Sequence, residues 1–172
     1  MYRLRFLGVM IRSLFSRKRA LSEAFVLHFW AIPLLDTDFT LLFTQTYGQY
    51  MGLARWNLLF NSEFRNFALK KGWVPVTTRE TIAYKRPVKA FDRVKLTTTV
   101  IYWNERRFYM EQRFEVQGKT KALAYVEGLV RSPKGHLKPA DAFAAMDLQR
   151  ASPPIPEHLR TWIELRYDRT KD

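Results

Sequence analysis

The chain of 172 residues contains no cysteine. Disulfides, zinc–thiolate sites and thiol nucleophiles are therefore excluded, and the absence fits a reducing compartment. Histidine is scarce: His28, His136 and His158 are scattered and share no metal-ligand spacing. No metal and no redox cofactor is expected. No apolar run approaches the roughly 20 residues that a membrane-spanning helix needs. The P-loop, the Gly-x-Gly-x-x-Gly fingerprint and the nucleophile elbow are missing, as are internal repeats and low-complexity tracts. Finally, no acidic residue occurs before residue 20, where Arg3, Arg5, Arg12, Arg17, Lys18 and Arg19 follow one another with no acid among them.

What is present points to one globular domain. Hydrophobic residues make up 47% and aromatic residues 15%, enough for a real core and too much for a disordered chain. The formal net charge is +13, a field that attracts anions. Part of the excess lies before residue 20 and much of the rest between Arg65 and Arg113.

The first 19 residues form a basic amphipathic helix on a helical wheel. Leu4, Leu7, Met10, Ile11, Leu14 and Phe15 share one side, and Arg5, Arg12, Ser13, Ser16 and Arg19 lie opposite. Three readings stay open: a helix packed on the domain itself or on a partner subunit, a membrane-surface helix, or a targeting segment. A secretory signal fits poorly, because Arg12 interrupts the apolar region. "AFVLHFW" (Ala24 to Trp30) reads as a strand, and Pro33 ends it. A loop with Asp36 and Asp38 follows. From about Tyr47 to Lys70 apolar residues recur at spacings of three and four, which predicts one helix of about six turns stopped by Gly72.

Four antiparallel strands in hairpins are predicted next, from Val74 to Arg131. In "DRVKLTTTVIYW" Val94, Leu96, Thr98, Val100 and Tyr102 share a face. In "RFYMEQRFEV" Phe108, Met110, Gln112 and Phe114 do, with Tyr109, Glu111, Arg113 and Glu115 opposite. Asn104 to Arg106 and Gln117-Gly118 supply turns. The tail holds a short helix from Pro139 to Met146 and a further helix from Glu157 to Tyr167. The boundaries are a basic leader (residues 1–21), a main domain (22–143) and a tail (144–172). A strand, one long apolar helix and a strand meander bury best when the sheet wraps the helix. The expected class is α+β: the hotdog fold, a five-stranded antiparallel sheet around one long central helix.

Two stretches then carry a family resemblance. "LDTD" before a helix, followed by "YKRPVKAFDRVKLTTTVIYWNERRFYMEQRFEVQGK", resembles hotdog-fold acyl-CoA thioesterases of the 4-hydroxybenzoyl-CoA thioesterase type, nearest the branch of thioesterase superfamily member six. Arg86-Pro87, Trp103 to Arg106, Phe108-Tyr109 and Arg113-Phe114 are its most specific parts. The resemblance covers about Ser22 to Phe143. It implies hydrolysis of an acyl-CoA or acyl-carrier-protein thioester in the cytoplasm, by a homodimer or homotetramer whose site lies between subunits. The second aspartate of the pair, Asp38, is then the nucleophile or general base. Amides at the start of the central helix, around Gln45, Tyr47 and Gly48, polarise the thioester carbonyl. Burial beside Phe39, Leu41, Leu42 and Phe43 would raise the pKa of Asp38.

Thr44, Tyr50, Met51, Arg79 and Arg86 are the candidate substrate-binding residues, with Lys85 and Lys89 as further phosphate partners. Where the family pattern holds a histidine and an asparagine pair, this chain has Leu41-Leu42-Phe43 and Thr44-Gln45. A second reading therefore stays open: a protein that binds acyl thioesters without turnover, or a peripheral membrane or scaffold protein. Among the compatible anions, an anionic membrane at the inner face is a candidate partner for residues 1–19. Nucleic acid is not expected, because no binding motif accompanies the charge.

Overall fold

A computed structural model describes residues 2–148 and 150–165. In chain order the elements are α1 (Tyr2–Leu14), β1 (Phe25–Trp30), α2 (Thr44–Asn61), α3 (Arg65–Lys71), β2 (Val74–Tyr84), β3 (Arg93–Trp103), β4 (Phe108–Val116), β5 (Lys119–Ser132), β6 (Gly135–Leu137), α4 (Pro139–Ala144) and α5 (Glu157–Glu164). The strands form one antiparallel sheet in the order β1-β3-β4-β5-β2, with β6 folded back onto the end of β5.

The alternation of β3 to β5 explains the core. Val94, Leu96 and Val100, then Phe114, then Ala122, Ala124 and Val126 are buried on the inner face. They pack against Tyr47, Met51 and Ala54 of α2 or, beyond them, Leu58. The sheet therefore wraps α2, and the α+β hotdog architecture implied by the element order is what forms.

Four details depart from the sequence pattern. The predicted six-turn helix is two helices. Ser62 takes an extended conformation (φ −93, ψ 165), and its hydroxyl both donates to the Leu59 carbonyl and accepts the Phe64 amide. The chain after α1 pairs here, with Arg19 N–H on the Asn61 carbonyl and Glu63 N–H on the Arg19 carbonyl. A long-range pairing thus outcompetes a periodicity that runs straight through it.

The strands are not a simple run of hairpins. β3, β4 and β5 are, but β2 pairs with the far side of β5 and β1 closes the other edge against β3. Tyr102 leaves the inner face, because the β3–β4 register shifts between Val100 and Tyr102. Such a bulge turns every later side chain over. Trp103 faces inward instead, against Phe108 and Phe143.

The polar-looking outer face of β4 is also partly covered. α5 lays Leu159 and Trp162 on Tyr109, which is 2% exposed. Helix α5 runs to Glu164; Tyr167, expected in the same helix, lies outside the described residues.

Gly72 ends α3 in the left-handed conformation (φ 63), its N–H returning to the Ala68 carbonyl. A β-carbon there would sit 3.4 Å from Pro133. Gly72→Ala is expected to cost about 1 kcal/mol, read as a lowered midpoint in urea unfolding with an unchanged slope.

Candidate functional site

Pro33 stops β1, and the chain from Ala31 to Phe43 must then satisfy its backbone elsewhere. It does so against the β2–β3 connection. Ala31 N–H bonds the Asp92 carbonyl (2.9 Å), Phe91 N–H the Ala31 carbonyl (2.8 Å), Ala90 N–H the Thr40 carbonyl (2.8 Å) and Leu42 N–H the Val88 carbonyl (2.9 Å). Within the loop Thr37 pairs with Leu42, Asp38 N–H bonds the Leu41 carbonyl and Phe43 N–H bonds the Asp36 carbonyl, both at 3.0 Å. These pairings make a small hairpin from Asp36 to Phe43, with Asp38 near its tip and α2 starting directly after its last residue.

The two aspartates have opposite surroundings. Asp36 is 1% exposed. Its carboxylate takes a two-pronged contact from the Arg5 guanidinium of α1, with Nη2 at 2.9 Å from Oδ2, and accepts the Ile32 amide (3.0 Å) and the Tyr50 hydroxyl (3.1 Å). Burial pushes the Tyr50 phenol well above its ordinary pKa, so it stays a donor. The carboxylate holds the Arg5 pKa above its usual value, against burial. Tyr50 also stacks on Phe29 and lies under the Arg5 guanidinium. Asp36 is a structural clasp between leader helix, loop and α2.

Asp38 is exposed. Its Oδ1 accepts the amides of Leu41 and Thr40, both at 2.7 Å, and the Thr40 hydroxyl at 3.3 Å. These bonds hold its pKa below the usual carboxylate range, the Leu41 amide first. The expectation of a raised pKa depended on burial beside apolar neighbours, but Phe39 is 86% exposed and the loop tip lies in solvent.

Helix α2 begins at Thr44, earlier than the spacing indicates, with Phe43 as an N-cap whose side chain makes no capping bond. Among the described residues no acceptor takes the amide hydrogens of Thr44 and Gln45. These are the open donors of the helix terminus. The amides of Tyr47 and Gly48 sit one turn further in, where helical carbonyls take them.

The other candidates divide. Tyr47 is buried, edge-on to Tyr84 and Phe114, and burial raises its pKa. Met51 is in the core, its carbonyl accepting Gln112 Nε2 at 3.1 Å. Arg86 and Lys89 are exposed on the connection that braces the loop, where Lys89 bridges to Leu41. Arg79 lies beneath α5, donating to the Trp162 carbonyl (2.9 Å) with its guanidinium 4.2 Å from the indole centroid. Asp38, Thr44 and Gln45 thus lie within one short stretch of chain at the start of α2, whereas Arg79 lies apart under α5.

The sequence pattern did not reveal a cavity of ≈ 260 Å³ between α2 and the inner sheet, with Gly52, Arg55 and Leu59 on one wall and Val76, Met110 and Gly128 on the other. Arg55 reaches Glu80 (3.2 Å) and Gln112 (3.1 Å). Burial lowers the Arg55 pKa, and Glu80 opposes that. Gln112, fully buried, also donates to Thr98 (3.0 Å). A glutamine in the inward series Phe108, Met110, Gln112, Phe114 was the visible signal: a polar side chain on a core face must find buried partners.

The comparisons agree on the fold. The model of the family described as the thioesterase-like superfamily matches residues 32–163. No curated protein matches. A probable thioesterase from Bartonella henselae superposes with a TM-score of 0.57 at 21% identity, over 67% of this chain and 97% of its own. A 1,4-dihydroxy-2-naphthoyl-CoA thioesterase from Synechocystis gives 0.58 at 14%, over 72% and 95%. A Staphylococcus aureus protein solved in complex with CoA gives 0.62 at 11%, over 84% and 96%.

Proposed function

The chain belongs to the thioesterase-like superfamily, and from that premise we propose that it hydrolyses the thioester of an acyl-CoA or an acyl-carrier protein. Within the superfamily we place it with the 4-hydroxybenzoyl-CoA thioesterase type, on the stretch from Arg86-Pro87 to Phe114. The observation that carries the reading is one short loop with an ionised carboxylate on its turn and an uncapped helix terminus at its end. The solved relative in complex with CoA supports the choice of carrier.

In this mechanism the thioester carbonyl oxygen meets the amides of Thr44 and Gln45, which stabilise the negative charge that develops there. Asp38 takes a proton from the water that attacks the carbonyl carbon, or attacks it itself to form an acyl–Asp38 anhydride that a water then hydrolyses, restoring the carboxylate. The carbon–sulfur bond then breaks, the thiolate leaves and takes up a proton, and the acyl group ends as a carboxylic acid. The cavity beside α2 receives the acyl group. Asp38 does not line that cavity, so the complete site forms between two copies. Edge strand β2 pairs only with β5 among the described residues, and its Pro75 to Thr77 segment lines the cavity; a second copy adds there.

A second reading rests on the same carboxylate. A group held by its own loop amides, with a lowered pKa, is a weak base, which suits a protein that binds acyl thioesters without turning them over. Thiol release from a panel of acyl-CoAs decides between the two, and the absence of cysteine keeps that assay free of protein thiol.

If Asp38 acts, its ionised form is the active one. Because its pKa is lowered, kcat/KM is expected to stay flat from about pH 8 down to pH 5 as far as this group is concerned. The rate should fall only below the ordinary aspartate value of about 3.9. An acid limb centred near pH 6 in the pH–rate profile would assign the chemistry to another group.

A further inference from the structure

Helix α1 buries the face opposite to the one its composition suggests. Phe6 meets Trp56 edge-on (centroids 5.4 Å) and Phe60 (6.0 Å). Val9 and Ser13 are buried, Arg5 is clasped by Asp36, and Arg65 donates to the Ser13 carbonyl at 2.9 Å. The helix is therefore anchored to the domain. Its outward face remains apolar: Leu4 is 69% exposed, Leu7 and Ile11 50%, and Phe15, just past the helix end, 88%. Spacings of three, four and four put these residues on one stripe. Single exposed apolar residues are ordinary, but a continuous stripe marks an interaction surface.

The charge beside the stripe identifies the occupant. Arg3, Arg12, Arg17 and Lys18 are exposed, and among the described residues no carboxylate pairs with any of them. On the flank, a groove of ≈ 490 Å³ between α1 and β1 is rimmed by Arg12, Arg17 and Arg19 over Val26 and Leu53. Self-pairing of two stripes about a twofold axis would face these cations with their own copies, a like-charge contact. An anionic bilayer meets both features, since acyl chains take the stripe and headgroup phosphates take the guanidinium groups.

We propose that α1 seats this protein in the interfacial plane of an anionic lipid bilayer, inserting Leu4, Leu7, Ile11 and Phe15 while Arg12, Arg17 and Arg19 bind lipid phosphate. The docked inner face keeps the domain, and the loop clasped by Asp36, at fixed orientation to the surface. The proposal does not depend on whether the protein turns over thioesters.

Co-sedimentation of the full chain with vesicles tests it, using phosphatidylcholine alone and with about 30 mol% phosphatidylglycerol. Wild type is expected to sediment with the anionic vesicles and to be released by about 0.5 M salt, which screens surface charge. The double variant Leu7→Glu/Ile11→Glu is expected to lose at least about tenfold in bound fraction, with an unchanged melting temperature because both side chains are exposed. Its activity on soluble acyl-CoA without vesicles should match wild type, which separates this outcome from any failure of the thioesterase reading. Wild type left in the supernatant, equal binding by the variant, or equal binding to uncharged vesicles would overturn the proposal. So would a dimer that the two glutamates dissolve in the absence of vesicle binding, because the stripe would then join copies of the chain.

Discussion

Asp38→Asn is expected to lower kcat/KM for acyl-CoA hydrolysis by at least about a hundredfold, the loss typical of removing an acid–base group. The substitution is a clean one in this structure. The asparagine side chain keeps an Oδ1 that can accept the amides of Thr40 and Leu41, the two short bonds that shape the loop, so the hairpin and the start of α2 stay in place. Asp38 is fully exposed, so losing its charge-assisted loop bonds should lower the melting temperature only slightly. What is lost is the negative charge and the basic lone pair. Acyl-CoA affinity, measured by calorimetry, should persist, because the cavity between α2 and the sheet is lined without Asp38. Equal turnover in both proteins would remove Asp38 from the mechanism. Binding without turnover in either protein would favour the acyl-binding reading.

Asp36→Ala, two residues away, is expected to unfold the protein far more readily while saying little about chemistry. The carboxylate is the shared acceptor of Arg5, Tyr50 and the Ile32 amide. Its removal leaves the Arg5 charge and a buried phenol without their partner, a situation that costs about 3–5 kcal/mol when the pair is fully buried. Arg5 retains 20% of its side-chain exposure, and water screening places the effect near the low end. About 3 kcal/mol corresponds to a drop of roughly 6–12 °C in melting temperature for a chain of this length. Pairing Asp36→Asn with Arg5→Met should recover part of the loss, because a neutral pair no longer strands a charge. A strictly additive double-mutant cycle would refute the clasp.

The contrast between these aspartates shows where sequence reading stops. Asp36 and Asp38 are the same residue type in one loop, and period-2 or period-3.6 patterns have nothing to say about either. Their difference is made by Arg5, 31 residues away, and by turn bonds within a few residues of Asp38. The strands, by contrast, were legible because alternation repeats over many residues. β1, β4 and the Asn104 turn fall where composition placed them, and Asn104 Oδ1 indeed accepts the Arg106 and Arg107 amides. Tyr102 departs from the alternation because a bulge is a one-residue event with no periodic signature. The break at Ser62 has no local signature because it depends on pairing with Arg19.

The sequence by itself determined the class of the fold, the absence of thiol chemistry, and the polar loop before a long apolar helix. Each of these follows from residue type or from local periodicity, properties that survive without contacts. Only the tertiary structure decided which aspartate is buried, which amides at the start of α2 stay open, and which face of α1 turns outward. The leader helix shows the reason most directly. Its wheel has two faces that can bury apolar surface, and Phe6 with Val9 won the domain because Trp56 and Phe60 wait opposite them. That choice is a difference between two packing free energies, and it depends on side chains some 50 residues away in the chain.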